Sequence, residues 1–203
     1  MYKYLVLVLL FLNTNVLFAD VSSANEEKIH KELRNILNGL EDAVNHEKYS
    51  ELSKYFHKDM TITMSNQEVL SSPEDINKFF NFWFGEGGYL KHVKMQLTAD
   101  SLTKLYADNT IGVVHGKGIE DTYLSDDRFF PMQTRWSATL IKDADEKWKI
   151  LSLHIGVDFL NNPVVDMLEN SAKIVGLIGG VIGLILGLLY GFLFWRKKTA
   201  TNQ

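Results

Sequence analysis

Cysteine is absent from the 203 residues, which excludes disulfides, thiolate metal ligands, cysteine nucleophiles and an acylated amino-terminal cysteine. Burial must therefore hold the fold. A basic surplus is missing too: 21 Lys and Arg stand against 25 Asp and Glu, a formal charge of -4, too little cationic surface for a nucleic-acid partner. The chain has no internal repeat, no glycine-rich phosphate loop, no serine-histidine-acid order and no histidine pair at metal spacing, so no metal or cofactor is expected. His30, His46, His57 and His92 are scattered in polar helix and loop contexts and read as surface. The length suits one folded domain with short appendages.

What is present first declares itself at the two ends. Residues 1–19, "MYKYLVLVLLFLNTNVLFA", carry one early cation, an apolar run and a small residue before Asp20, the pattern of a secretory signal peptide. From Ile174 to Trp195 no residue is charged, and as a helix this stretch covers about 33 Å, enough to span a bilayer. Arg196, Lys197 and Lys198 follow it directly, whereas only Lys173 precedes it, so the tail 196–203 is expected in the cytoplasm. Tyr190, Phe192, Phe194 and Trp195 gather at that end, where amphipathic rings suit the headgroup boundary. The expected arrangement is a cell-membrane protein of single-pass topology. Its domain, residues 20–160, lies outside the cytoplasm (periplasmic in a Gram-negative cell), and residues 161–173 link it to the span.

Between the ends the patterning changes once. Ile29, Leu33, Ile36, Leu37, Leu40 and Val44 recur at helical steps after Asn25, a cap candidate, and "YSELSKYF" reads as a second short helix. "DMTITM" alternates as a strand, and "SSPEDINKFFNFWFG" predicts a third helix with Ser72 as cap and Pro73 in its first turn. After Gly88 four alternating runs follow, about 90–105, 110–123, 129–142 and 147–157, parted by "ADN", "SDD" and "DADEK". Three helices followed by an antiparallel meander describe an α+β domain in which the sheet curls around the helices.

"LEDAVNHEKYSELSKYFHKDMTITM" resembles the opening of the nuclear transport factor 2-like superfamily, in particular its SnoaL-like members. "RWSATLIKDADEKWKILSLHIG" resembles that superfamily's last hairpin, and the calcium/calmodulin-dependent kinase association domain ends similarly. The resemblance covers roughly residues 25–160. It implies a cone-shaped domain, three amino-terminal helices packed on a curved antiparallel sheet, with a pocket between them and often a second subunit beside it.

Strand phase then nominates residues. Trp148, Ile150, Ser152 and His154 share one face of the last strand by simple alternation, and Leu151, Leu153, Ile155 and Val157 the other; both faces look covered, one by the pocket and one by a second subunit. His154 is the first candidate for catalysis, because similar proteins place a pocket histidine there and imidazole titrates near neutral pH; the alternative is a hydrogen-bonded core histidine. His115 between glycines, Arg135 as a carboxylate clamp, Trp136 as a stacking platform, and Phe79, Phe80 and Trp83 as cavity walls are the ligand-binding candidates. Each of these also suits a purely structural role. The acids Asp59, Asp100, Glu120 and Asp121 read as strand-end or polar-stretch residues, which argues against a cavity carboxylate base. Gly179, Gly183, Gly187 and Gly191, spaced by four, form a small-residue seam suited to helix packing in lipid. Three functions stand open: a membrane-anchored module that binds a small apolar or aromatic ligand or forms a dimer, an enzyme moving a proton on a small organic molecule, and an assembly factor for another membrane protein.

Overall fold

The computed structural model describes residues 2–201, with the side chains of residues 24–193 and Trp195. It divides into two compact units, residues 1–158 and 159–203. The expected leader, 1–19, lies where side chains are outside the described residues. The backbone there belongs to helix α1, Tyr2–Asn45, which runs through Asn25 instead of starting at it. No proline or glycine stands ahead of Asn25 to interrupt helical dihedrals.

The rest of the first unit follows in order: a 3-10 helix Tyr49–Tyr55, β1 Phe56–Thr63, β2 Val69–Leu70, α2 Pro73–Phe84, β3 Leu90–Ala99, β4 Lys104–Tyr106, β5 Ile111–Leu124, β6 Phe129–Lys142 and β7 Trp148–Val157. α2 begins as its sequence dictates. Ser72 stands outside the helix and its Oγ accepts the Asp75 N–H at 3.3 Å, while Pro73 occupies the first turn, where its missing N–H leaves no gap. The expected single run 90–105 is two strands, because the chain leaves the ladder at Asp100 and rejoins β5 at Lys104.

The sheet order is β2-β1-β7-β6-β5-β3, with β4 also paired to β5. β3, β5, β6 and β7 form the expected antiparallel meander, but β1 lies parallel to β7, so the sheet is mixed. One irregularity decides which side chains face inward. Leu140 pairs with Ile150 and Thr139 with Ser152, so Leu151 is an extra, bulged residue and the inward phase moves from Ile150 to Leu153 and Ile155.

The inner face of the sheet and the apolar stripe of α1 close on one another. Ile29, Leu33 and Val44 of α1 join Met60 and Ile62 of β1, Ile76 of α2 and Trp136, Leu140, Trp148 and Ile150 of the meander in one core. Side chain to backbone bonds fix α1 along β3. Asn45 Nδ2 donates to the Met95 carbonyl at 2.8 Å while its Oδ1 accepts the Met95 N–H at 2.7 Å, and Glu41 accepts the Leu97 N–H at 2.7 Å. Higher helix numbers meet lower strand numbers, so α1 and β3 run antiparallel.

The second unit is helix α3, Pro163–Thr201, entered through Asn162, whose Oδ1 accepts the N–H groups of Val164 and Val165 at 3.1 and 3.2 Å. The segment expected to be a linker is thus mostly helical. Within Pro163–Leu193 an 18-residue window reaches a mean hydropathy of 2.3, and among the described residues this is the one helix long and apolar enough to cross a membrane. Gly179, Gly183, Gly187 and Gly191 recur along it, and a Cβ built at any of the four meets nothing within 4 Å.

Candidate functional site

A cavity of about 430 Å³ lies between α1, α2 and the inner face of the sheet. Its size falls in the roughly 300–1,000 Å³ range typical of small-molecule sites. The lining is mostly apolar: Leu33 and Leu37 from α1, Phe80 from α2, Met95 and Leu97 from β3, Trp136 and Ala138 from β6. Among the described residues, its ionisable lining is His30, Arg34 and Glu120.

Glu120 owes its position to the parity of β5. Val114 and Glu120 both line the cavity, and Gly116 and Gly118 stand between them on the same face. Gly116 lets the Trp136 indole lie close against the strand: a Cβ there would collide with the Thr98 carbonyl and with the indole ring. The indole is pinned by its N–H, which donates to the Lys117 carbonyl at 3.1 Å. The two glycines thus make room for the Trp136 indole and the Thr134 side chain, and at the end of the cavity the Thr134 hydroxyl donates to Glu120 Oε1 at 3.0 Å. Burial pushes the Glu120 carboxyl above its ordinary range, and the Thr134 bond opposes this only in part. Reading Glu120 as part of a polar stretch missed the alternation that runs Val114, Gly116, Gly118, Glu120. Two small residues carried no hydrophobic signal, yet their parity pointed inward.

His154 lies elsewhere. Across the ladder it pairs with Ser137, on the face opposite Leu153 and Ile155, which line the cavity, and it is exposed. The Leu151 bulge is the physical reason: alternation counted from Trp148 loses its phase there. This also corrects the expectation of a second apolar face on β7, since beyond the bulge the outward residues include Ser152 and His154. Arg135 and His115 share that outer face. Both terminal guanidinium nitrogens of Arg135, Nη1 and Nη2, donate to the Asp100 carboxylate, one at 3.1 Å, and His115 Nε2 lies 3.5 Å from the same carboxylate. The Arg135 bond holds the Asp100 carboxyl below its usual range.

The aromatic candidates divide. Trp136 and Phe80 stand in the cavity wall. Phe79 packs against the core beside Phe80, ring centroids 5.5 Å apart, and Trp83 turns its N–H to Glu68 Oε1 at 3.2 Å; neither lines the cavity. Phe80 is backed by Tyr49, stacked at 4.4 Å, whose buried hydroxyl has no hydrogen-bond partner among the described residues and whose pKa burial pushes up to about 12. His30, read as surface from its polar neighbours, lines the cavity with Arg34 and Asn38, one and two helical turns further along α1. The three flank the apolar stripe of Ile29 and Leu33, a placement that spacing alone permits but does not single out.

No protein-family model and no curated protein matches the chain. Solved structures do. A nuclear transport factor 2-like superfamily protein from Salmonella enterica serovar Typhimurium superposes with a TM-score of 0.53 at 14% identity, over 64% of this chain and 92% of that one. The hexachlorocyclohexane dehydrochlorinase LinA-type3 from Novosphingobium barchaimii gives 0.56 at 10% identity, over 65% and 88%. ActVI-ORFA from Streptomyces coelicolor gives 0.52 at 10%, over 64% and 98%. At these identities the likeness is one of fold. The first unit has the nuclear transport factor 2-like fold, an α+β cone of helices on a curved sheet, and the chain adds to it one apolar carboxy-terminal helix.

Proposed function

We propose that this protein is a membrane-anchored, SnoaL-like module that holds a small apolar ligand in the cone, with its domain outside the cytoplasm and its tail inside. The observation that carries the reading is the mostly apolar cavity of about 430 Å³, walled by Trp136 and Phe80. The cations that follow the apolar helix, Arg196 to Lys198, support the orientation. Pairing of two copies rests on the glycine seam of α3 and no longer on an apolar outer sheet face. The test uses full-length protein in lipid nanodiscs and naphthalene as probe. Retention above protein-free discs is expected for the native chain and is expected to vanish in Val114→Phe, which fills the cavity while leaving the melting transition in place. Equal retention by both proteins refutes the site.

A second reading, an enzyme that moves a proton on a small organic molecule, is favoured by Glu120. A carboxyl whose proton affinity is raised by burial is a stronger base when ionised and holds its proton for donation at higher pH. Among the fold's relatives, the dehydrochlorinase acts by its name on a small apolar ring. In this reading Glu120 takes the place expected for His154. Deuterium uptake at the carbons beside the ketone of 2-undecanone, faster with native protein than with Glu120→Gln, would establish it. Identical rates would remove it.

A further inference from the structure

The three ionisable residues of the cavity are not gathered in one spot. Glu120 is the register partner of Met95, and Met95 is the residue that Asn45 of α1 clasps. Arg34 lies eleven residues before Asn45, about 16 Å back along the helix axis at 1.5 Å per residue. Since α1 and β3 run antiparallel, that direction leads past Ala99 to Ser101, Leu102 and Thr103, which line the same cavity beside the connection to β4. His30, Arg34 and Asn38 thus mark one end of the cavity and Glu120 the other.

Each end has unspent bonding capacity. Arg34 is exposed and has no ion-pair partner among the described residues, although a guanidinium is well shaped to take a carboxylate through two parallel bonds. At the far end Thr134 occupies Glu120 Oε1, while Oε2 has no hydrogen-bond partner among the described residues. A carboxyl in apolar surroundings favours its neutral form, and the neutral form carries one O–H to donate. Between the two ends Leu37, Leu97, Val114, Trp136 and Ala138 offer no polar side chain apart from the indole N–H, which is already bonded.

We infer that the cavity takes an elongated molecule with an apolar middle, a carboxylate at the Arg34 end and a neutral hydrogen-bond acceptor, such as a ketone oxygen, at the Glu120 end. This rests on the reading of the cavity as a ligand site. The two polar groups are separated by on the order of 10–15 Å, the axial offset less the inward reach of the side chains. A plain hydrocarbon would leave both ends unused, and a dicarboxylate would set a second negative charge against Glu120.

Matched compounds separate the parts: 10-oxoundecanoate carries both groups, undecanoate only the acid, 2-undecanone only the ketone, and undecane neither. Equilibrium dialysis of the labelled compounds is run against nanodiscs holding the full-length protein, with protein-free discs as reference. The keto acid is expected to bind at least tenfold more tightly than either single-function compound. Arg34→Gln, at an exposed position that leaves the core untouched, is expected to reduce the keto acid to the affinity of 2-undecanone without changing the latter. Glu120→Met, which removes the donor and keeps bulk, is expected to reduce it to the affinity of undecanoate. Equal affinity for the compounds, or an Arg34→Gln change that weakens all of them alike, overturns the inference while the cavity remains a ligand site. Retention of none of them, undecane included, overturns the ligand site itself and the inference with it.

Discussion

Thr134 donates its hydroxyl to Glu120 across neighbouring strands at 3.0 Å, at one end of a mostly apolar cavity. Burial outweighs that bond and holds the Glu120 carboxyl above the usual range. The folded state therefore grips this proton more tightly than the unfolded chain does. The stabilisation is full below the ordinary carboxylate value and is lost as pH rises through the raised folded value.

Glu120→Gln, which keeps an acceptor for Thr134 and has no charge to develop, is expected to match the native chain at about pH 4 and to be the more stable of the two at about pH 8. Urea denaturation at both values measures this, and a constant difference between the two proteins contradicts it. Thr134→Val removes a bond that favours the ionised form. It is expected to raise the Glu120 pKa further and to destabilise the domain by about 1 kcal/mol.

On the outer face the expectation is the reverse of what simple strand alternation suggests. His154→Ala and Arg135→Ala are expected to leave retention of an apolar probe by the cavity unchanged, because both side chains lie on the other side of the sheet. Loss of Arg135 is nonetheless visible at Asp100. Its carboxyl, held low by the guanidinium, stabilises the fold above the ordinary carboxylate value and loses that effect as pH falls through the depressed one. Carbon NMR of the Asp100 carboxyl is expected to show its midpoint moving up in Arg135→Ala, and an unmoved midpoint would mean that the pair does not form in solution.

Gly116 is closely covered by its neighbours. A Cβ there meets the Thr98 carbonyl, which is backbone, and the Trp136 ring, which its N–H bond to Lys117 holds in place. Gly116→Ala is expected to destabilise the domain by about 2–3 kcal/mol, as overpacking against a fixed backbone does. A native-like denaturation midpoint would show that the indole can swing into the cavity.

In α3 the groove of small residues makes a separate prediction. Crosslinking of native protein in membranes is expected to yield an oligomer, and the double change Gly183→Ile with Gly187→Ile is expected to abolish it by filling the groove. An unchanged crosslinking pattern would mean that these glycines take no part in association.

Much of this architecture was legible in the chain, and the exceptions have physical causes. Ser72 and Pro73 announced α2, turn residues bounded the meander, and the uncharged run after Lys173 announced a membrane-length helix. The parallel pairing of β1 with β7 was not legible, since it joins segments far apart in the chain and leaves no local mark. The place of His154 was missed because a bulge inserts one residue without any signature beyond an ordinary leucine, and one residue exchanges inside for outside. Glu120 was missed for a different reason. Asp121 and Thr122 follow it in sequence and are polar, whereas its neighbours in space, Met95 and Leu97 among them, come from another strand.

The clasp of Asn45 on Met95 has a consequence for crowded surroundings. β3 closes one side of the sheet, and an open strand there would offer its backbone to a strand from any other copy. Asn45 makes with Met95 the two bonds such an intruder would make, and Glu41 and its bond to Leu97 occupy the next place. Two side chains of a helix thus shield the edge from runaway strand addition, so that crowded copies are kept from zipping together through Met95 and Leu97 of β3.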